Sequence, residues 1–329
     1  MSALGTEAAA SSCAADALAD DRPSPAGGIL RGARRPAGWR VPGPVPPSPP
    51  PSDLAELWPR PAEDLCWLAG HWRILQRRDG HRFSLDDLVT AEMAARVFDA
   101  GGSASRGPRS ALAEPAAPAA PPRFLDLGCG VGTVLLFLAW RFPEARVTGI
   151  EAQSVSAEQA RRSIAWNGVS DRCAVIEGDL RDAAALTPAE PRFDLITGTP
   201  PYFSPGAGTE SDRVQRAPCR FEHRGGLGDY CRAAARLMAP GAALVACAAA
   251  LQFPTVEPAA RAAGLAVERW REIVPRAGKA PLLATFSLRH ATLASPRVDE
   301  PSLVVRDGAG QWTAEFLKVR DAMGMPPAP

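Results

Sequence analysis

Three acids and one proline-stiffened aromatic loop are the residues best suited to chemistry. Asp126 is followed by Gly128, Gly130 and Gly132 at every second position, Glu151 lies about twenty residues beyond them, then Asp179, then Thr199-Pro200-Pro201-Tyr202-Phe203. A carboxylate placed like Glu151 can accept both hydroxyls of a ribose. Asp179, or the backbone beside it, suits the amino edge of an adenine, the plain alternative being an acid in an ordinary turn. Asp126 either meets a cationic ammonium or orders the glycine turn. Two consecutive prolines fix their own dihedrals and restrict the residue before them. Thr199 and the Pro200 carbonyl then become rigid acceptors beside an aromatic that can stack on a planar group.

The glycines follow a short apolar run and open an apolar helical pattern, so they read as a strand–turn–helix. Glycine allows unusual dihedrals and close approach to a ligand, and the following helix N-terminus offers free N–H groups. The spacing is G-x-G-x-G, not the G-x-G-x-x-G of dinucleotide enzymes. Asp126 at the turn would repel a pyrophosphate and welcome a cofactor bearing a sulfonium and an ammonium. S-adenosyl-L-methionine carries both, plus an adenosine for Glu151 and Asp179. An exocyclic amine has a delocalised lone pair, and two acceptors on its hydrogens favour the pyramidal form that attacks an activated methyl. Cys129, inside the turn, reads as a small packing residue.

Strands at 123–128, 147–150, 173–176, 193–198 and 243–247 must position these groups, with helices at 131–141, 155–166 and 227–238. Repeating strand–helix units predict an α/β, Rossmann-like, doubly wound, mostly parallel sheet with ligands at the carboxyl ends of its strands. Residues 266–274 and 282–290 read as two strands pairing antiparallel at one edge, which brings the sheet to seven strands. Leu303 to Arg306, a turn at Asp307-Gly308 and a helix over 313–323 close the chain. Upstream, Arg73 to Arg77 and Arg82-Phe83 suggest a hairpin about Asp79-Gly80, and Ser84 suggests an N-cap, with Asp87 three residues on, for a helix through Leu88, Ala91, Ala95 and Phe98. Residues 1–61 are rich in Ala, Pro, Gly, Ser and Arg and read as a disordered tail. Arg31, Arg34, Arg35 and Arg40 give that tail an alternative as an RNA-tethering arm. Residues 62–98 read as an N-terminal extension on the substrate side, 99–122 as a flexible insert, and 123–325 as the catalytic domain.

A formal charge of +1 provides no global field toward nucleic acid, so any such contact needs a local patch. Seven scattered cysteines without a C-x-x-C pair point away from zinc and disulfides and toward a reducing, cytoplasmic setting. No apolar run spans a bilayer. No metal is expected, and a monomer is.

These residues resemble class I S-adenosylmethionine-dependent methyltransferases. Asp126 to Gly132 look like motif I, Glu151 and Asp179 like the acids of motifs II and III, and Thr199 to Tyr202 like the Asn-Pro-Pro-Tyr of amino-group methyltransferases. Over about 66–320 the chain resembles the bacterial tRNA1(Val) adenine-37 N6-methyltransferase family, through Gln76 to Leu88, Arg220-Phe221-Glu222, Pro275 to Lys279 and Leu303 to Arg306. That resemblance implies tRNA as substrate, Thr199, Pro200 and Tyr202 as catalytic, and Phe203, Arg220, Arg276 and Lys279 as substrate contacts. Thr199 stands where the family has Asn, and a hydroxyl is the shorter and poorer acceptor. A protein glutamine, with the same planar NH2, is the alternative acceptor, as is a small molecule; a further alternative is an RNA-binding relative without catalysis.

Overall fold

A buried polar seam joins two sheets of unequal size. The computed structural model describes residues 21–32, 36, 38–46, 54–80, 82–105, 120–187, 192–202 and 225–327. The smaller sheet runs β1 (Arg22–Pro23), β2 (Ile29–Leu30), β3 (Glu63–Trp67) and β4 (Arg73–Arg77) in that order. Its first two strands fall within the stretch expected to be a disordered tail. Each is only two residues long, too short for a period-2 pattern to show. Burial of Leu30 with Leu65, Leu75, Trp58 and Trp166 holds them in place.

The hairpin expected about Asp79-Gly80 is corrected. β4 pairs antiparallel with β3, Trp67 facing Arg73, and the turn between them includes Gly70 at φ +51°. Arg82 instead sends its guanidinium to Asp64.

Helix α1 (Leu85–Ser105) follows, reaching further into the expected 99–122 insert than the sequence suggests. Asp87 Oδ2 accepts from the Ser84 N–H at 3.0 Å, which anchors its first turn.

The larger sheet comprises β5 (Arg123–Leu127), β6 (Arg146–Glu151), β7 (Cys173–Glu177), β8 (Phe193–Gly198), β9 (Met238–Ala249), β10 (Leu265–Val274) and β11 (Leu283–His290), with β12 (Val298–Asp299) and β13 (Leu303–Val304) on the flank of β10. Its order is β7-β6-β5-β8-β9-β11-β10. β11 runs antiparallel to both its neighbours, one place in from the edge. α1, α2 (Thr133–Arg141) and α3 (Ser154–Trp166) cover one face, while α4 (Leu227–Leu237) and α5 (Phe253–Ala262) cover the other. Helices on both faces explain why β5 and β8 are buried along nearly their whole length. α6 (Ala314–Ala322), capped by Thr313, ends the fold.

The free edge of β4 is closed by side chains of α3. Ser163 Oγ accepts from the Leu75 N–H, and Asn167 accepts from the Arg73 N–H and donates to the Arg73 carbonyl, at 2.7–2.9 Å. Arg162 pairs with Glu63 at 2.9 Å, both largely buried. An unpartnered backbone group there would cost as much as a lost hydrogen bond.

Candidate active site

The strand order reverses between β5 and β8, and a cleft of ≈ 530 Å³ opens there at the carboxyl ends of the strands. Gly128 and Gly130 follow β5, Glu151 ends β6, Gly178 follows β7, and Thr199, Pro200 and Tyr202 follow β8; all line the cleft. The structure thus brings together six residues singled out in sequence: Gly128, Gly130, Glu151, Thr199, Pro200 and Tyr202.

The glycine turn is shaped for contact. Gly130 sits at φ +55° on the cleft wall, and a Cβ there would meet nothing within 4 Å, so the space it leaves open belongs to the cleft. Gly128 is constrained differently: at φ +61° a Cβ would lie 2.2 Å from the hydroxyl of Tyr230, whose ring forms part of the lining. Glu151 is buried, accepting from the Gly130 N–H at 2.9 Å and the Gln153 N–H at 2.7 Å. These bonds aim its carboxylate at the cleft's edge of the sheet.

The proline loop is clamped from two sides. Gln252 donates to the Pro201 carbonyl at 3.0 Å. Tyr202 donates its hydroxyl to Asp86 Oδ2 at 2.6 Å and lies 3.4 Å from Cys247 Sγ. Burial first, then the neighbouring thiol and carboxylate, push the Tyr202 phenol well above its ordinary range, so it stays a donor.

A model of the methyltransferase domain family matches residues 124–206. A tRNA1(Val) (adenine(37)-N6)-methyltransferase of Porphyromonas gingivalis is 31% identical over 212 residues, spanning 63% of this chain and 82% of that protein. The chain belongs to the tRNA1(Val) (adenine(37)-N6)-methyltransferase family. It is an S-adenosylmethionine-dependent N-methyltransferase. A release factor glutamine methyltransferase of Chlorobaculum tepidum is 33% identical over 111 residues, 31% of this chain and 38% of that protein. In fold the chain is similar to a predicted O-methyltransferase from Agrobacterium tumefaciens, with TM-score 0.51 and 20% identity over 73% of this chain and 98% of that one.

Three residues expected at this methyltransferase's cofactor do not line the cleft. Asp126 lies beneath it, buried, with Oδ1 accepting from the Thr197 hydroxyl at 2.8 Å and Oδ2 from the Leu135 N–H at 3.2 Å. Its partners lie on β8 and in the first turn of α2, so it ties that helix to the sheet beneath the glycine turn. Burial pushes its carboxyl up to about 7, against those two hydrogen bonds. Gly132 caps α2. Asp179 is turned to Arg181, whose backbone N–H and guanidinium it accepts from at 2.9 Å; its neighbours Gly178 and Leu180 line the cleft instead.

Arg276 and Lys279 are exposed in the turn between β10 and β11, outside the cleft lining but at the same, carboxyl end of the sheet. Phe203 and Arg220 lie outside the described residues. Cys129 is a buried packing residue: a Cβ on Gly149 would sit 2.5 Å from its sulfur.

The lining also includes Arg82, Ser84, Asp86 and Asp87 from the start of α1, and Tyr230 from α4. Tyr230 and Tyr202 are the chain's two tyrosines, and both line this cleft. Asp86 and Asp87 look in sequence like the acids of a helix first turn. Asp87 is in fact buried on the cleft wall, its carboxyl raised well above the usual range, by burial first and then by Asp86. Among the described residues no group of three or more His, Cys, Asp or Glu could hold a metal ion, and no helix is long and apolar enough to cross a membrane.

Proposed function

We propose that this methyltransferase modifies the N6 amino group of an adenine in tRNA. The observation that carries the reading is the clamped Thr199–Tyr202 loop facing the same cleft as Glu151. The named activity of the Porphyromonas gingivalis relative supports it, as do the exposed cations Arg276 and Lys279 on the same end of the sheet.

The cleft suits the cofactor. Gly130 leaves a cradle that a Cβ would fill, Glu151 suits the ribose hydroxyls, and the backbone about Gly178 and Leu180 suits the adenine. Asp87, buried on the cleft wall, would hold the ammonium in place of Asp126. A cation there would relieve the cost of burying its charge. When bound, S-adenosylmethionine supplies an electrophilic methyl. The Thr199 hydroxyl and Pro200 carbonyl accept from the target amino group, which favours the pyramidal nitrogen, and Tyr202 gives the base a stacking face. A base in a loop reaches this ledge at lower cost than a paired base, which must first be extruded.

A second reading is transfer to the glutamine amide of a protein: that amide offers the same planar NH2, so the Thr199–Tyr202 loop alone does not separate the two acceptors, and the glutamine methyltransferase relative matches over 38% of its own length. Tritiated methyl transfer separates the two. With bulk tRNA and a protein extract offered together, label in tRNA supports the adenine reading, and label in protein alone overturns it.

A further inference from the structure

A second cleft, of ≈ 560 Å³, opens beside the small sheet, and Arg82 lines both it and the active-site cleft. It lies within the size range of ligand sites. Two indoles, Trp39 and Trp67, line it, together with Arg31, Arg78 and Arg82, against Asp21 and Asp64.

The cationic wall is built. The Asp64 carboxylate is fully buried and takes Arg31 from one side at 3.0 Å and Arg82 from the other at 2.9 Å. Asp64, with Asp21 also paired to Arg31, thus fixes two guanidinium groups in the lining of the cleft, at less entropic cost than two flexible side chains on a surface. Arg78 is exposed and, among the described residues, has no ion-pair partner. The Trp67 ring carries the Arg73 guanidinium 3.8 Å from its centre.

Aromatic faces interleaved with arginines are what single-stranded nucleic acid binds: rings for bases, cations for phosphates. The shared Arg82 wall makes the two clefts neighbours, so a strand with one base in the active site passes Arg82 into the second. Resting on the adenine-in-tRNA reading, we propose that this cleft seats a nucleotide flanking the target base, with Trp39 and Trp67 stacking on it and Arg78 meeting its phosphate. The small sheet then selects substrate as well as bracing α3.

Steady-state methylation of bulk tRNA by the full chain tests this, with S-adenosylhomocysteine binding as the check on folding. Trp39→Ala should raise the KM for tRNA about tenfold, the scale of one lost base–aromatic stack. Trp39→Phe should restore most of it, and kcat at saturating tRNA and S-adenosylhomocysteine affinity should stay at the wild-type level. Arg78→Glu, at an exposed position that cannot disturb the core, should raise the same KM several-fold. If the wild type methylates tRNA and both Trp39→Ala and Arg78→Glu share its KM, the second cleft is not a nucleotide site, and the adenine reading survives. If the wild type labels protein and not RNA, both fall.

Discussion

The Tyr202 hydroxyl and the Asp86 carboxylate meet at 2.6 Å, across the join between the loop after β8 and the first turn of α1. The first turn of α1 therefore braces the loop that carries Thr199 and Pro200. A hydrogen bond to a charged group contributes about 1.5–3 kcal/mol.

Asp86→Ala should accordingly lower kcat about ten- to hundred-fold while changing cofactor affinity little. Asp86→Asn, which keeps an acceptor, should lose less. Single-turnover methyl transfer checks this, and an Asp86→Ala variant at wild-type rate would show that the loop is held without it.

Gly128 and Gly130 separate two uses of the same turn. Gly128→Ala places a Cβ 2.2 Å from the Tyr230 hydroxyl in a left-handed conformation and should lower thermal stability. Gly130→Ala meets no atom within 4 Å. It should retain most stability, at a cost of about 1 kcal/mol for its dihedrals, and lose cofactor affinity because its methyl occupies the cleft. Thermal melts alongside S-adenosylhomocysteine titrations distinguish the two; equal effects of both variants on both measurements would count against this assignment.

Thr199→Asn should keep or raise adenine methylation, since the amide oxygen reaches further and accepts better. Complete loss of activity would mean that the threonine serves a different acceptor group. Product nucleosides identified by mass spectrometry provide the readout.

Asp126 gives the stability a defined pH dependence. Its folded-state pKa, raised to about 7 by burial, lies above the roughly 3.9 of an unfolded aspartate. The folded protein therefore binds the extra proton between those values. Stability should fall as pH rises from about 4 to about 7 and level off above, by on the order of a few kcal/mol. Asp126→Asn should reduce that slope in chemical denaturation at pH 5 and pH 8, the part due to the likewise raised Asp87 remaining, and an unchanged slope would contradict it.

The catalytic sheet was legible because its signals are local. β5 to β8 appear within a residue or so of their expected bounds, each a short stretch rich in apolar residues that ends at or just before a Gly or Glu. The small sheet was not legible, because its order comes from distant partners. Leu30 is buried by Leu65 and Trp166, and β4 finds its pairing on β3 and on Ser163 and Asn167 of α3. At the site, Glu151 and the proline loop stand out by residue type and place. Asp86, Asp87 and Tyr230 do not, since nothing in a helix sequence says which turn will face a cleft built by other strands.

Calorimetric titration with S-adenosylhomocysteine tests the central claim most directly. The wild type should bind one equivalent, and Glu151→Ala, titrated well below its own melting temperature, should bind at least about tenfold more weakly, two lost charged hydrogen bonds being ample for that change. Equal affinity in the two proteins, or no binding to either, would contradict a cofactor held across the tips of β5, β6 and β7.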